Sequence, residues 1–250
     1  MYPTLFKIGS YPILTWGVSL ALAFVVCTIV AVLLGKKRDL KGDTVVDAAL
    51  IICIVSILTA RILYVLLNLD QYMSDPVSIL YLRDGGLSFI GGAVGGILTG
   101  YLFTRSRKIS FPNGSDIGAI VLALGYGIVR LGCLANGCCY GIPSDLPWAL
   151  ACGPGSVLRH PTQIYSSLLG FLMFGVLLYM FYKSPKFKGL LLYLYVAMYS
   201  VGRFVVEFYR VGPRDYFAPL TLTQVFTVVT FIVSVGVLAI ELGKRKAQVK

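Results

Sequence analysis

Charge is scarce in this chain. Only 13% of its 250 residues are Asp, Glu, Lys or Arg, eleven of them acidic, and it has a single histidine, His160. Soluble globular domains carry about 25% charged residues, so an ordinary soluble domain is excluded. Short segments of alternating hydrophobicity are also absent, which excludes an outer-membrane barrel. No cleavable leader is apparent: the first apolar run follows a neutral, proline-containing stretch and precedes Lys36-Lys37-Arg38, the reverse of a signal peptide's charge order. The first apolar segment is therefore expected to stay in the mature protein.

What the chain has in abundance is apolar length. Hydrophobic residues make up 57% and the mean hydropathy is +0.82. Runs long enough to cross a bilayer as helix lie at about 13–34, 45–67, 86–104, 116–134, 162–182, 190–209 and 220–242. The expected fold is all-α: a polytopic membrane protein, a bundle of about seven transmembrane helices in a single transmembrane domain over 1–250, with the loop 135–161 as a lid. The formal charge of +11 does not indicate nucleic acid, because the basic residues sort by loop. Lys36, Lys37, Arg38, Lys41, Arg105, Arg107, Lys108, Lys183, Lys186, Lys188, Lys244, Arg245, Lys246 and Lys250 fall on one side; Lys7, Arg83, Arg159 and Arg214 fall on the other. The positive-inside rule then predicts the N-terminus outside and the C-terminus cytoplasmic.

Four arginines, Arg61, Arg130, Arg203 and Arg210, lie within or at the ends of apolar runs, where a guanidinium costs several kcal/mol. The predicted topology brings the last three to the outer face, with the glycine- and cysteine-rich segment Arg130–Gly141. Arg203, Glu207 and Arg210 are spaced i, i+4 and i+7 and share one helix face. One carboxylate cannot neutralise three guanidiniums, and guanidinium forks match phosphate oxygens. In an outer leaflet that phosphate is a phospholipid headgroup. Gly132, Gly137 and Gly141 free backbone N–H groups to face an anion, with Asn136 as donor and acceptor. His160 opens the fifth span before Pro161 and offers a base or a hydrogen bond. The run from Gly85 to Gly96 holds six glycines, read as a turn at Gly85 and Gly86, beside Arg83 and Asp84, and as close helix packing further on.

Cys27 and Cys53 fall within spans and read as small core hydrophobes. Cys133, Cys138, Cys139 and Cys152 gather after the fourth span. A disulfide, packed thiols and a metal site are the alternatives. Adjacent cysteines ligate one tetrahedral ion poorly, so no metal or other cofactor is expected, and the cluster is read as structural or regulatory.

As a set, Gly85-Gly-Leu-Ser-Phe-x-Gly-Gly92, Arg130-x-Gly-x(3)-Asn-Gly-x(3)-Gly141, Arg159-His-Pro-Thr-Gln-Ile-Tyr165, Gly202-Arg-Phe-x-x-Glu-Phe-x-Arg210 and Thr223-Gln224 resemble the prolipoprotein diacylglyceryl transferases in content and order. The resemblance implies a multi-pass enzyme of the bacterial inner membrane. It would move the diacylglyceryl group of phosphatidylglycerol to the lipobox cysteine of prolipoprotein signal peptides, forming a thioether and releasing glycerol phosphate. Its partners would be membrane lipids and those peptides, without nucleic acid. By that resemblance Arg130, Arg203 and His160 are the expected catalytic residues. Asn136, Gly137, Gly141, Glu207, Arg210, Gly91, Gly92 and Trp16 are expected to bind substrate. The chain departs from the family pattern at Ile90, where a histidine usually stands, and at Trp16 for tyrosine, Cys133 for asparagine and Cys138 for an acid. Alternative readings are a different lipid donor or acceptor, or a non-catalytic phospholipid-binding protein.

Overall fold

The computed structural model describes residues 2–9, 11–73, 75–81, 85–153, 157–184, 187–211, 216–217 and 220–247. Arg83, Asp84, Lys186, Arg214 and Lys250, used in the sequence reading, lie outside them. Each of the seven apolar runs forms a helix: α1 (Thr15–Lys36), α2 (Gly42–Leu67), α4 (Phe89–Ser106), α5 (Phe111–Asn136), α6 (Thr162–Lys183), α7 (Leu191–Glu207) and α8 (Leu222–Ala247), with a short α3 (Leu69–Met73) after α2. Five of them, α1, α2, α5, α6 and α8, are long and apolar enough to cross a membrane. The other two are weaker for visible reasons. Glycine and Arg105 dilute the 18 residues of α4, and α7 stops after 17, just past the buried Arg203 and Glu207.

Short antiparallel pairs join the helices: β1 (Thr4–Ile8) with β2 (Tyr11–Leu14), β3 (Leu150–Ala151) with β4 (Leu158–Arg159), and β5 (Tyr216–Phe217) with β6 (Leu220–Thr221). The chain divides into two compact units: Met1–Ala31 with Ser115–Lys250, and Val32–Gly114.

In the second unit α2 packs on α4 through small residues. A Cβ on Gly91 would lie 2.5 Å from the Thr59 carbonyl oxygen, and one on Gly96 would lie 2.6 Å from Ser56 Oγ. Gly92 likewise faces Ala60 Cβ at 3.4 Å and the Ser56 carbonyl at 3.4 Å. Missing side chains let the two backbones approach, as in small-xxx-small contacts. Gly91 and Gly92, expected to bind substrate, stand at this helix contact. Gly91→Ala is expected to cost about 1–3 kcal/mol through overpacking against a backbone atom, read as a lower melting temperature of the purified protein; an unchanged melting curve would contradict this contact. Gly85 and Gly86 form the expected turn, with φ of +87° and +75°. Arg61 is consumed here: its guanidinium donates to the carbonyls of Ser78, Ile79, Tyr81, Gly85 and Gly86 at 2.7–3.2 Å.

In the first unit α5 is the most enclosed helix, with Ala119, Ile120 and Ala123 fully buried. Three helices lie against it or follow from it. Towards α1, Gly132 leaves room for Ser19 and Cys27 Sγ donates to the Val121 carbonyl at 3.2 Å, so the two helices run antiparallel. Towards α6, Gly170 sits on the backbone of Gly127 and Ser167 Oγ donates to the Gly127 carbonyl at 2.9 Å. The fully buried Asp116 accepts from the N–H groups of Gly189 and Leu191 at 2.6 and 3.0 Å, capping α7 where helix N–H groups lack partners. At α8, Thr221 and Gln224 form a reciprocal capping box. These contacts fix the ends of α1, α5, α6 and α7, where the functional residues lie.

Candidate functional site

The C-terminal end of α7 carries the first charges. Arg203 and Glu207 are one turn apart, both buried, and joined by a 2.6 Å ion pair. The Glu207 oxygen in that pair has no further hydrogen bond, so Glu207 serves Arg203. Arg210 lies just beyond the helix end, and its Nη2 donates to Cys139 Sγ at 3.8 Å.

Arg130 comes from the last two turns of α5. Its guanidinium rests over the Tyr126 ring, 5.0 Å from the centroid, a cation–π contact that holds it without cancelling its charge. Among the described residues no carboxylate pairs with it. Tyr199 of α7 meets Tyr126 edge-on at 5.4 Å and lies in the combined field of Arg203, Arg130 and Arg210. Among the described residues, then, Glu207 pairs with Arg203 and no carboxylate pairs with Arg130. A partly buried guanidinium without a carboxylate calls for an anion.

A ladder of backbone hydrogen bonds ties the loop after α5 to the end of α7. Gly141 N donates to the His160 carbonyl at 3.0 Å, His160 N to that of Ile142 at 3.1 Å, and Ile142 N to that of Tyr209 at 2.9 Å. A Cβ on Gly141 would lie 2.5 Å from the Tyr209 carbonyl oxygen and 2.6 Å from that of His160, so this position is closed to side chains. Gly141, expected to shape a headgroup pocket, thus acts as the point where two backbones meet. Gly137 has φ +78° and ends α5 in the left-handed conformation common at helix termini. Asn136 is the last residue of α5, two residues before Cys138.

His160 is turned to aromatic neighbours: Nδ1 lies 3.3 Å from the Tyr165 hydroxyl, and its ring centroid is 4.8 Å from that of Tyr209. Trp148 Nε1 also donates to Tyr165 at 2.8 Å. The segment expected as a lid is thus pinned to α6, and through Gly141 and Ile142 to the residues after α7. Trp16 lies in the first turn of α1, one turn before Ser19, which packs on Gly132. Its ring is partly exposed.

Sequence reading missed Tyr126 and Tyr199, although each stands four residues before an arginine (Arg130 and Arg203), a spacing that puts ring and guanidinium on one helix face. It also passed over Arg159, whose guanidinium sits 4.9 Å from the Tyr140 ring with a buried, unpartnered Nε.

All six cysteines are free thiols, so the disulfide alternative is not what the structure contains. The sulfurs of Cys133, Cys138 and Cys139 all lie within 4.8 Å of one another. Hydrogen bonds with the Cys133 and Cys138 thiols, reinforced by Arg210 and Arg130, hold the Cys139 thiol below the usual thiol range.

The sequence model of a family described as prolipoprotein diacylglyceryl transferase matches residues 3–240. Among curated relatives, a phosphatidylglycerol–prolipoprotein diacylglyceryl transferase of Clostridioides difficile (strain 630) is 34% identical over 227 residues, covering 91% of this chain and 90% of the relative. The protein of that name from Clostridium tetani (strain Massachusetts / E88) is 32% identical over 248 residues, 96% and 98% of the two chains. That from Geobacter sulfurreducens is 34% identical over 212 residues, 83% and 82%. With a match over nearly its whole length, and the arginine, glycine and carboxylate blocks gathered at the ends of α5 and α7, the chain belongs to the prolipoprotein diacylglyceryl transferase family.

Proposed function

We propose that this protein transfers the diacylglyceryl group of phosphatidylglycerol to the lipobox cysteine of prolipoproteins, from seven transmembrane helices of a bacterial inner membrane with the N-terminus outside. The observation that carries this reading is the partly buried Arg130 guanidinium, resting over Tyr126 with no carboxylate paired to it among the described residues, and linked through the Tyr126–Tyr199 ring contact to the helix that carries the Arg203–Glu207 pair. In the reaction the acceptor sulfur attacks the glycerol methylene carbon bonded to the phosphate oxygen. The C–O bond breaks, and its electron pair leaves on that oxygen as glycerol phosphate. Charge grows on the phosphate as the bond breaks, so cations already in place stabilise the transition state more than the ground state.

Arg130 and Arg203 are assigned to the phosphate, framed by Arg210 and Glu207. The Tyr126 hydroxyl, buried and without a partner, is a further donor for phosphate oxygens. Asn136 and Gly137 support the loop that completes the pocket. Beyond holding Tyr165 and Tyr209, His160 is available to hydrogen-bond the acceptor peptide.

The purified protein, given phosphatidylglycerol vesicles and a lipobox peptide, is expected to release glycerol phosphate and to raise the peptide mass by one diacylglyceryl group. A serine in place of the peptide cysteine should stop both. Release of glycerol phosphate with no gain in peptide mass would identify a phospholipase C-type hydrolase and overturn the transfer.

A further inference from the structure

We propose that Cys133, Cys138 and Cys139 form a three-thiolate site for a zinc ion, with a fourth coordination position open to a thiol. A tetrahedral zinc with Zn–S bonds of about 2.3 Å holds its sulfurs about 3.8 Å apart. Three sulfurs within 4.8 Å of one another reach that spacing by side-chain rotation.

The objection to adjacent cysteines as ligands is geometric, because neighbouring side chains normally diverge. Here the chain removes it. Cys139 has φ +61°, a left-handed conformation unfavourable for a residue with a Cβ, and this bend turns the Cys139 and Cys138 thiols toward the same point. The bend is held from outside: Gln163 Nε2 donates to the Cys138 carbonyl at 2.7 Å and Thr162 Oγ1 to the Cys139 carbonyl at 2.8 Å. The Cys138 N–H bonds the Cys133 carbonyl at 3.1 Å, fixing the pair against the end of α5.

A disulfide suits this arrangement less well. Adjacent Cα atoms are about 3.8 Å apart, short of the roughly 4.4 Å minimum for an unstrained bridge, and any bridge among three sulfurs leaves one over. Zinc with three thiolates carries one negative charge, and Arg210 Nη2 stands 3.8 Å from Cys139 Sγ as an outer-shell donor.

Three protein ligands and a free position are the arrangement of reactive rather than structural zinc. Assigning that position to the acceptor cysteine rests on the transferase function proposed above. Zinc binding releases the three cysteine protons to solvent. Coordination of the acceptor releases a fourth, because a zinc-bound thiol is deprotonated outright. The coordinated sulfur then uses a lone pair to bond the methylene carbon as the C–O bond to phosphate breaks and glycerol phosphate departs with that electron pair; the sulfur leaves zinc as a thioether and frees the position. No oxidant or reductant enters.

The test begins with the full-length protein purified in detergent. Elemental analysis is expected to find about one zinc per chain, and Co²⁺ exchanged into the site should give sulfur-to-cobalt charge-transfer absorption. Both should be lost in Cys138→Ser/Cys139→Ser and kept in Cys53→Ser, with the two variants eluting alike on size exclusion. Less than about a tenth of an equivalent of metal after zinc loading, equal binding by the double variant, or an intact mass showing a disulfide within the cluster would overturn the site. If the double variant aggregates, the metal content and mass of the parent still decide. A lipobox peptide should intensify the cobalt–thiolate band and its serine version should not; an unchanged band overturns the open thiol position. Glycerol phosphate release by metal-free protein separates the two ideas. Release at the loaded rate removes zinc from catalysis and leaves the transferase standing, whereas zinc bound without transfer under any condition spares the site and sinks the transferase.

Discussion

Arg130→Ala is expected to lower diacylglyceryl transfer by roughly 10²–10³, the usual effect of deleting one preorganised donor to developing oxyanion charge. The loss should fall on kcat, since a phosphate gains charge as its C–O bond breaks and the contact strengthens toward the transition state. Arg130 is the guanidinium to choose because no carboxylate among the described residues pairs with it: it lies over Tyr126, whereas Arg203 is neutralised by Glu207 at 2.6 Å. Arg203→Ala also leaves a buried carboxylate unpaired, so its effect mixes catalysis with folding. Arg130→Lys keeps the charge and loses the bidentate fork, and should fall between Ala and the parent. Full turnover by a folded Arg130→Ala protein would remove this arginine from the mechanism.

The helices were legible because bilayer-length apolar runs admit one solution: every backbone group bonded within its own segment. All seven runs reappear as helices, with ends displaced by a few residues where capping decided them. Asp116 shows why those ends were harder to read. Its carboxylate serves a helix more than seventy residues away, and no local pattern announces such a partner. The N-terminal hairpin was equally silent, and its start is tied by the Tyr2 N–H to the Ala135 carbonyl at the C-terminal end of α5.

At the site the arginines could be found from their cost in an apolar run and from the i, i+4 pairing of Arg203 with Glu207. Glycines were less readable, since the same residue serves a turn, a helix crossing or an exposed backbone N–H. Gly91 and Gly92, expected at the substrate, also stand at the crossing of α2 and α4, and Gly141, expected at the pocket, also stands at a backbone junction. For the cysteines, spacing along the chain says little about where sulfurs meet once a residue such as Cys139 takes positive φ.

Arg61 had the same sequence signature as the other three arginines, and its fate differs. Arg61→Lys is expected to destabilise the protein by about 3 kcal/mol or more, because hydrogen bonds to charged groups contribute about 1.5–3 kcal/mol each and abandoned buried carbonyls add their own cost. The guanidinium is 6% exposed and meets five carbonyls through Nε, Nη1 and Nη2, with the Tyr72 ring 5.2 Å from its Cζ. An ammonium has three donors on a single atom and cannot reach acceptors arranged around a planar fork. Two of the carbonyls, from Gly85 and Gly86, belong to the positive-φ turn that leads into α4, so the loss should spread to that turn. A Cβ on Gly86 would lie 2.5 Å from Arg61 Nη1, which shows how closely the turn is moulded to the guanidinium. The expected results are a lower melting temperature and new protease cleavage between residues 75 and 88. A lysine variant that melts with the parent and resists cleavage there would mean that the turn holds its shape without the arginine.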